Sequence, residues 1–368
     1  MRQNEAKHIL PLTALRFWAA CAVFAHHFDA FLDLSIPGFA ALMRYPLEGS
    51  IGVTFFYILS GFVIAYSYQN RLADKEMTPG TFLFCRWAKL WPTHVVTLLA
   101  ALFLYNKNFT VKPELLANFF LVQSLVPYSE YFFSYNGVSW SISNEMFFYG
   151  CFCLLAFLPG KRIAQIFIGL LLAIAAVGFY PGQEFWGDYT GWLLYINPFF
   201  RIIDFLAGIM LFHIRRARFP GLDGRAATCW ELLSVFVLAV FVLFGVRFDV
   251  NGYLRGDLYY LLPMCLLIFI FSLDKGAISR LLSHPALVFL GESSFCLYMV
   301  HQPVLALLKR AFGAQLHTVG DMLVLAAFAA VAAVTLSALL HVFYEKPLHG
   351  CLKKLWTEKW RAQIRNYI

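Results

Sequence analysis

Four ionisable side chains, Arg16, His26, His27 and Asp29, lie within one apolar stretch, residues 9–31. The stretch is long enough to cross a bilayer as a helix, and ionisable groups at that depth are costly and usually functional. Arg16 and His27 are about three helical turns apart, so they share a face and lie roughly 16 Å apart along the axis. This pattern predicts a cation near one membrane surface and an imidazole deeper inside. The alternative is a pair of residues in the interior of the helical bundle whose polar groups are simply satisfied there.

Other polar side chains interrupt later apolar stretches. Glu145 lies about two turns into the stretch that begins at residue 138, where a carboxylate should be protonated or paired with Arg or His. We expect Trp140 and Glu145 to hold a hydroxylated substrate, or Glu145 to orient an imidazole that acts as a base. Tyr298 and His301 are separated by one helical turn and should share a face.

A pair of cations, Arg86 and Lys89, precedes Pro92. Proline is favoured at the first turn of a helix, so we expect the third membrane span to begin at residue 92. Cations beside a helix N-terminus, with its free N–H groups, form a ready phosphate site. The simpler alternative is retention of cations on the cytoplasmic side, which needs no ligand.

The composition predicts an all-α, polytopic membrane protein. Hydrophobic residues make up 60% of the 368 and charged residues 14%, which would leave a soluble protein without enough polar surface. The net charge of +8 fits cytoplasmic retention of cations rather than nucleic-acid binding. We expect about ten transmembrane helices, near residues 9–31, 50–69, 92–106, 138–158, 163–180, 196–213, 228–246, 257–273, 286–308 and 320–344.

The cations also predict the orientation. Of the 29 lysines and arginines, 20 fall on the side of the N-terminus, 7 on the opposite side and 2 within spans, which predicts that both termini are cytoplasmic. The outer connection 107–137 contains an apolar part, 115–125, too short to span, and we expect it to be re-entrant or interfacial. Arg201 and Asp204 are most simply a structural ion pair.

The second span is rich in small residues. Gly49, Gly52 and Gly61 remove side-chain bulk along it, which indicates close helix packing. Room for a ligand beside the backbone is the alternative.

Six motifs in one order resemble the acyltransferase-3 family of membrane acyltransferases, and the resemblance runs from about residue 8 to residue 350. The motifs are the Arg16–His27 pair with ten residues between, FFYILSGF at 55–62, RWAKLWP at 86–92, WSISNEMFFY at 140–149, YMVHQP at 298–303 and YEKP at 344–347. One departure is that Lys89 stands where the family usually has a second arginine, which removes a bidentate fork for phosphate. We expect a transmembrane domain, 1–350, and a basic cytoplasmic tail, 351–368, without the hydrolase-like C-terminal domain of some members.

The resemblance implies an O-acyltransferase of the cytoplasmic membrane. Such an enzyme moves an acyl group, commonly acetyl, from cytoplasmic acyl-CoA to a hydroxyl of an extracytoplasmic carbohydrate such as O-antigen, exopolysaccharide or glycolipid. Acyl-CoA is then a donor substrate, and neither a tightly bound cofactor, a metal nor nucleic acid is expected. The alternative from the residues alone is a proton-coupled transporter, because buried Arg, His and Glu form proton relays; the sequence shows no inverted repeat to support it.

The resemblance also assigns roles. His27, selected over His26 by the family spacing, is the expected general base or acyl-accepting nucleophile. The sequence leaves open the acceptor, the acyl group, direct transfer against an acyl-histidine, and the oligomeric state. The expected residues are, for catalysis, His27, Glu145 and Arg16; for the CoA phosphates, Arg86, Lys89 and Arg16; and for the acceptor, Trp140, Tyr298 and His301.

Overall fold

A computed structural model describes residues 8–31, 48–49, 51–105, 112–178, 189–217, 222–248, 258–312 and 317–367. Within these ranges the chain is helical and contains no strand, which confirms the all-α prediction. The helices are α1 Leu10–Phe31, α2 Ile51–Ala73, α3 Pro79–Tyr105, α4 Pro113–Phe119, α5 Ser129–Phe132, α6 Trp140–Leu155, α7 Gly160–Gly178, α8 Tyr189–Gly191, α9 Pro198–Arg216, α10 Gly224–Arg247, α11 Tyr260–Ser272, α12 Ala277–Leu282, α13 Pro285–Glu292, α14 Ser294–Phe312, α15 Val319–Leu340 and α16 Lys346–Tyr367, with short 3-10 or π-helical turns at Gln123–Leu125, Gly137–Ser139, Trp192–Ile196 and His341–Glu345.

Six helical segments of the described chain are long and apolar enough to cross a membrane, so this is a multi-pass membrane protein. They are Ile51–Ala73, Pro79–Leu104, Gly160–Val177, Trp192–Arg216, Gly224–Arg247 and Val319–Trp356. Helices α1 and α14 are not among the six, because their histidines and charged residues lower the mean hydropathy. The total of ten spans and the side of each terminus stay predictions.

Helix α2 lies in close contact with α1 and α9, because glycines remove the side chains between the backbones. A Cβ atom on Gly52 would lie 2.7 Å from the carbonyl oxygen of Ala19, and one on Gly61 would lie 2.0 Å from that of Phe205. Neither distance is compatible with a side chain. The packing interpretation of these small residues is therefore confirmed.

The predicted helix start at Pro92 is wrong. Helix α3 begins at Pro79 and runs through Pro92, which is buried inside it. A proline within a helix removes one N–H donor without necessarily ending the helix when neighbouring elements support it. Arg86 and Lys89 therefore lie on the side of a helix rather than at a wet helix N-terminus, and the free N–H groups expected beside them are absent from this turn.

The described part of the predicted outer connection, from residue 112, contains α4, α5 and two 3-10 turns and packs against the rest of the protein. The imidazole Nε2 of His94 lies 2.9 Å from the carbonyl oxygen of Asn118, and the Ser124 and Ser143 hydroxyls are 2.7 Å apart. The amide Nε2 of Gln123 donates to the Ser139 carbonyl at 3.1 Å. All six residues are buried. These contacts attach the connection to α3 and α6, and both the re-entrant and the interfacial alternatives stay open.

An ion pair joins Arg201 and Asp204, as predicted. The guanidinium Nη2 lies 2.9 Å from a carboxylate oxygen, and both side chains are fully buried. The same nitrogen donates to the Thr54 hydroxyl at 3.0 Å, and the guanidinium lies 5.1 Å from the centre of the Tyr57 ring. These contacts connect α9 to α2, so the pair stabilises the helices that surround the site.

Candidate active site

A cavity between α1, α2, α3, α6 and α14 brings together five of the eight predicted site residues. It contains about 860 Å³ of space free of protein atoms, a volume that includes its open mouth. The predicted residues that line it are Arg16, Arg86, Lys89, Glu145 and Tyr298. His27, His301 and Trp140 do not line it. Trp140 is buried at the start of α6, with its ring centre 5.3 Å from that of Tyr195.

Glu145 lies in this cavity beside a hydroxyl and two guanidinium groups. The Tyr149 hydroxyl donates to the Glu145 carboxylate at 2.8 Å and lies 3.3 Å from the Ser60 hydroxyl. Arg16 and Arg86 both attract the Glu145 charge. A tyrosine four residues after a glutamate shares its helix face, so helical spacing is a sequence signal for Tyr149, which is not among the predicted site residues.

Arg86 offers positive charge and an unused donor to the cavity. Its Nη2 donates to the Tyr68 hydroxyl at 2.9 Å, and its guanidinium lies 5.0 Å from the centre of the Tyr68 ring. Across the described ranges, no carboxylate lies within 4.0 Å of Arg86, and its buried Nε has no hydrogen-bond partner there. A buried donor without a partner is costly, and the uncompensated guanidinium charge lines the cavity, where an anionic ligand could pair with it.

Lys89 differs from Arg86, because its ammonium group forms an ion pair with the Glu345 carboxylate. Glu345 belongs to the YEKP motif and is 1% exposed. Its other oxygen lies 2.7 Å from Nδ1 of His341 and accepts from the Cys296 thiol at 3.1 Å. Much of the Lys89 charge is therefore compensated inside the protein, although the residue still lines the cavity.

Cys296, His341 and Glu345 also have the side-chain types that bind zinc, and their ligating atoms lie within 4.8 Å of one another. However, the Glu345 carboxylate already contacts three donors within the protein. They are the Lys89 ammonium, the imidazole N–H and the thiol. We therefore interpret the cluster as a satisfied buried carboxylate that joins α3, α14 and the turn after α15.

Tyr298 lines the cavity and also contacts His301. Its hydroxyl lies 2.7 Å from the Ser141 hydroxyl and donates to the Val138 carbonyl at 3.3 Å. The Tyr57 hydroxyl donates to the Ser141 carbonyl at 3.2 Å. The Tyr298 ring centre is 5.8 Å from that of His301, which does not line the cavity. Tyr298 thus has the cavity on one side and the histidine on the other.

The two predicted histidines are in contact with each other. Nε2 of His301 lies 3.3 Å from Nδ1 of His27, and that same Nδ1 lies 2.9 Å from the Val23 carbonyl oxygen. His27 is half-buried, whereas His301 is fully buried. Within the described residues, the imidazole of His27 is oriented by a second histidine and a backbone carbonyl. Among the described residues, Glu145 bonds to Tyr149 and not to His27, and the orienting role considered for it stays a prediction.

Comparison with known proteins places these motifs in a family. The family model described as "Acyltransferase domain" matches residues 10–342. The acyltransferase MdmB of Streptomyces mycarofaciens is 31% identical over 94% of this chain and 92% of its own length. The exopolysaccharide production protein ExoZ of Rhizobium meliloti (strain 1021) is 28% identical over 72% and 78%.

A third relative is similar over a smaller share of its own chain. The peptidoglycan O-acetyltransferase OatA of Listeria monocytogenes serovar 1/2a is 23% identical over 82% of this chain and 50% of its own. No solved structure matches the chain significantly.

Proposed function

The chain belongs to the acyltransferase-3 family and is a membrane O-acyltransferase, and we propose that it moves an acyl group from cytoplasmic acyl-CoA to a hydroxyl of an extracytoplasmic carbohydrate. The observation that carries the proposal is the arrangement of the cavity. Arg16, Arg86 and Glu145 line it, and at Tyr298 it adjoins a pair of histidines. The arginines of the cavity fit a polyanionic donor, and the adjoining histidines fit a reaction that needs a base.

The donor proposal rests on the guanidinium groups. CoA carries several phosphate charges, and arginine binds phosphate with paired, charge-assisted hydrogen bonds. Arg86 has an unused Nε donor, and Arg16 adds a second positive charge that lines the same cavity. Because Glu345 compensates Lys89, Arg86 contributes more to donor binding than Lys89 does. Acetyl is the acyl group that we propose.

The proposed chemistry takes place at His27. The pantetheine arm of CoA is long and thin, so it would bring the thioester past Tyr298 toward the imidazole. His27 removes the proton of the acceptor hydroxyl, and the resulting oxygen attacks the thioester carbonyl. Histidine suits this role because it exchanges protons near neutral pH. Glu145 and Arg16 then act on the donor side of the reaction rather than on the imidazole.

The carbohydrate acceptor is proposed from the relatives. The name of ExoZ refers to exopolysaccharide and that of OatA to peptidoglycan O-acetylation. Exopolysaccharide and peptidoglycan are both carbohydrate polymers that offer hydroxyl groups outside the cytoplasm. We therefore propose a cell-envelope carbohydrate, reached from the outer side of the cytoplasmic membrane, as the acceptor of this chain.

Reporter fusions test the proposed topology. We expect fusions after residues 40, 110 and 188 to read as outside, because cations concentrate on the side of the termini. These three positions lie outside the described residues. Alkaline phosphatase fused at each position should be active, and a fusion at residue 368 should be inactive. A cytoplasmic signal from any of the first three would contradict the orientation.

Replacing Arg86 with alanine should weaken donor binding. A hydrogen bond to a charged group contributes about 1.5–3 kcal/mol, so we expect the KM for acetyl-CoA to rise at least about tenfold with less change in kcat. Arg71→Ala is a matched control, because Arg71 is exposed and lies against the same Tyr68 ring without lining the cavity. Equal KM values for Arg86→Ala and the wild type would remove the phosphate assignment.

Thioester consumption tests the activity itself. Membrane vesicles that contain the protein should release free CoA thiol from acetyl-CoA, at a rate that increases with the amount of protein and with added envelope carbohydrate. A transporter would take up a solute without cleaving the thioester. Absence of thiol release in the presence of envelope extract would contradict the proposed function.

A further inference from the structure

His301 contacts His27 but is sealed from the cavity. It is fully buried on α14, where the rings of Phe24 and Tyr298 flank it with centres 6.4 and 5.8 Å away. The ring centres of His301 and His27 are 5.0 Å apart. A residue in this position is poorly placed to bind a carbohydrate, the role expected from the sequence. It is well placed to act on the imidazole beside it.

A backbone carbonyl lies beside Nδ1 of each ring and favours a proton there. Nδ1 of His301 lies 2.6 Å from the Tyr298 carbonyl oxygen, and Nδ1 of His27 lies 2.9 Å from that of Val23. A carbonyl oxygen only accepts hydrogen bonds, so each contact favours the tautomer that carries its proton on Nδ1. In the neutral rings, Nε2 of His301 and Nε2 of His27 are then both lone-pair acceptors.

The contact between the rings and the two carbonyl contacts together favour this assignment when both rings are neutral. Nε2 of His301 lies 3.3 Å from Nδ1 of His27, so the His27 N–H is shared between this nitrogen and the Val23 carbonyl. The opposite tautomer of His27 would place its Nδ1 lone pair against both the Nε2 lone pair of His301 and the Val23 carbonyl oxygen. His301 and Val23 therefore both favour the Nδ1–H form of His27.

We propose that His301 is a positioning residue that holds His27 as its Nδ1–H tautomer and leaves the His27 Nε2 lone pair for the acceptor hydroxyl. This inference rests on the proposed function, in which His27 is the base. It replaces the substrate-binding role that the sequence predicted for His301. The imidazole can accept the hydroxyl proton only as the correct tautomer. In catalytic triads a third group likewise orients the imidazole and fixes its tautomer.

The proton and bond changes follow from this assignment. The acceptor hydroxyl gives its proton to Nε2 of His27, and its oxygen forms a bond to the thioester carbonyl carbon. The C–S bond then breaks, and the departing CoA thiolate takes the proton back from Nε2. Throughout, Nδ1–H of His27 stays bonded to Val23 and His301, whose acceptor atoms stabilise the transient imidazolium.

Two substitutions of His301 distinguish the effect of its hydrogen-bond acceptor from the effect of its size. His301→Gln keeps an oxygen that can accept from His27, whereas His301→Leu fills space without one. We expect His301→Leu to lower kcat about 10–100-fold with an unchanged KM for acetyl-CoA. This loss is smaller than the about 10⁴-fold loss of kcat when the charged carboxylate of a catalytic triad is replaced, because the Val23 carbonyl still accepts from His27. His301→Gln should retain at least about a third of the wild-type kcat.

The test uses the full-length protein in vesicles, normalised to the amount inserted. Activity of the wild type measures the proposed function, so a loss confined to His301→Leu reports on His301. A kcat for His301→Leu equal to that of the wild type, or an equal loss in His301→Gln at normal abundance, would overturn the proposal.

A spectroscopic measurement reads the tautomer without turnover. In protein labelled with ¹⁵N-histidine, the signals that disappear in His27→Ala identify His27, and solid-state NMR distinguishes a protonated Nδ1 from a protonated Nε2. We expect a protonated Nδ1 in the wild type and in His301→Gln, and a mixture of tautomers in His301→Leu. A protonated Nε2 in the neutral wild-type ring would overturn the proposal.

Discussion

Replacing His27 with alanine should abolish measurable acyl transfer. General-base assistance typically contributes ~10²–10⁴-fold to a rate, and alanine leaves no group to take the acceptor proton. The neighbouring histidine cannot substitute. Successive residues on a helix point about 100° apart, so His26 cannot replace His27 against His301 and Val23. We therefore expect His26→Ala to retain a measurable part of the activity.

The measurement is acetyl transfer per mole of membrane-inserted protein in both variants. His26→Ala is the matched control, because its ring centre lies only 5.0 Å from that of His27 on the same helix. If His27 were only a packing residue, the variant would lose abundance rather than turnover. Full activity in His27→Ala, or an equal loss in a well-inserted His26→Ala protein, would contradict the assignment.

Replacing Lys89 with methionine should destabilise the protein more than it weakens donor binding. Methionine is similar in length but carries no charge, so it leaves the buried Glu345 carboxylate without its cation. Breaking a buried ion pair costs 3–5 kcal/mol, and we expect about 3 kcal/mol here because part of Lys89 remains exposed. The readout is the midpoint of thermal unfolding in detergent, together with the amount of protein inserted.

The double variant Lys89→Met/Glu345→Gln is the control for this prediction. Removing the uncompensated carboxylate should restore most of the lost stability, since exchanging both partners of a buried pair is often nearly neutral. Arg86→Ala, by contrast, should change the KM with little effect on stability. A stable Lys89→Met protein whose KM for acetyl-CoA rises as much as that of Arg86→Ala would show that Lys89 mainly binds the donor.

Helix periodicity predicted one ion pair between residues on the same helix. The Arg201–Asp204 pair followed from a separation of one turn, and the fold class followed from apolar composition. Two further pairs have the same kind of helical spacing but were not predicted. Tyr149 follows Glu145 by four residues and Glu345 follows His341 by four residues, and the side chains of each pair are hydrogen-bonded.

Contacts between distant parts of the chain could not be predicted. The His27–His301 contact joins residues 274 positions apart, and the Tyr298–Ser141 contact joins residues 157 apart. Periodicity determines which residues share a helix face, but the neighbour of that face depends on how the whole bundle packs. Pro92 shows the limit of a local signal, because proline occurs both at helix starts and within supported helices.

The acylation of envelope carbohydrate tests the central claim most directly. Cells that lack this protein are complemented with the wild type or with His27→Ala at matched abundance, and their envelope carbohydrates are extracted and analysed by mass spectrometry. We predict an alkali-labile acyl ester, with the mass of acetyl, that is present with the wild type and absent both without the protein and with His27→Ala. Identical carbohydrate masses in all three strains, or an ester that persists with His27→Ala, would contradict the account.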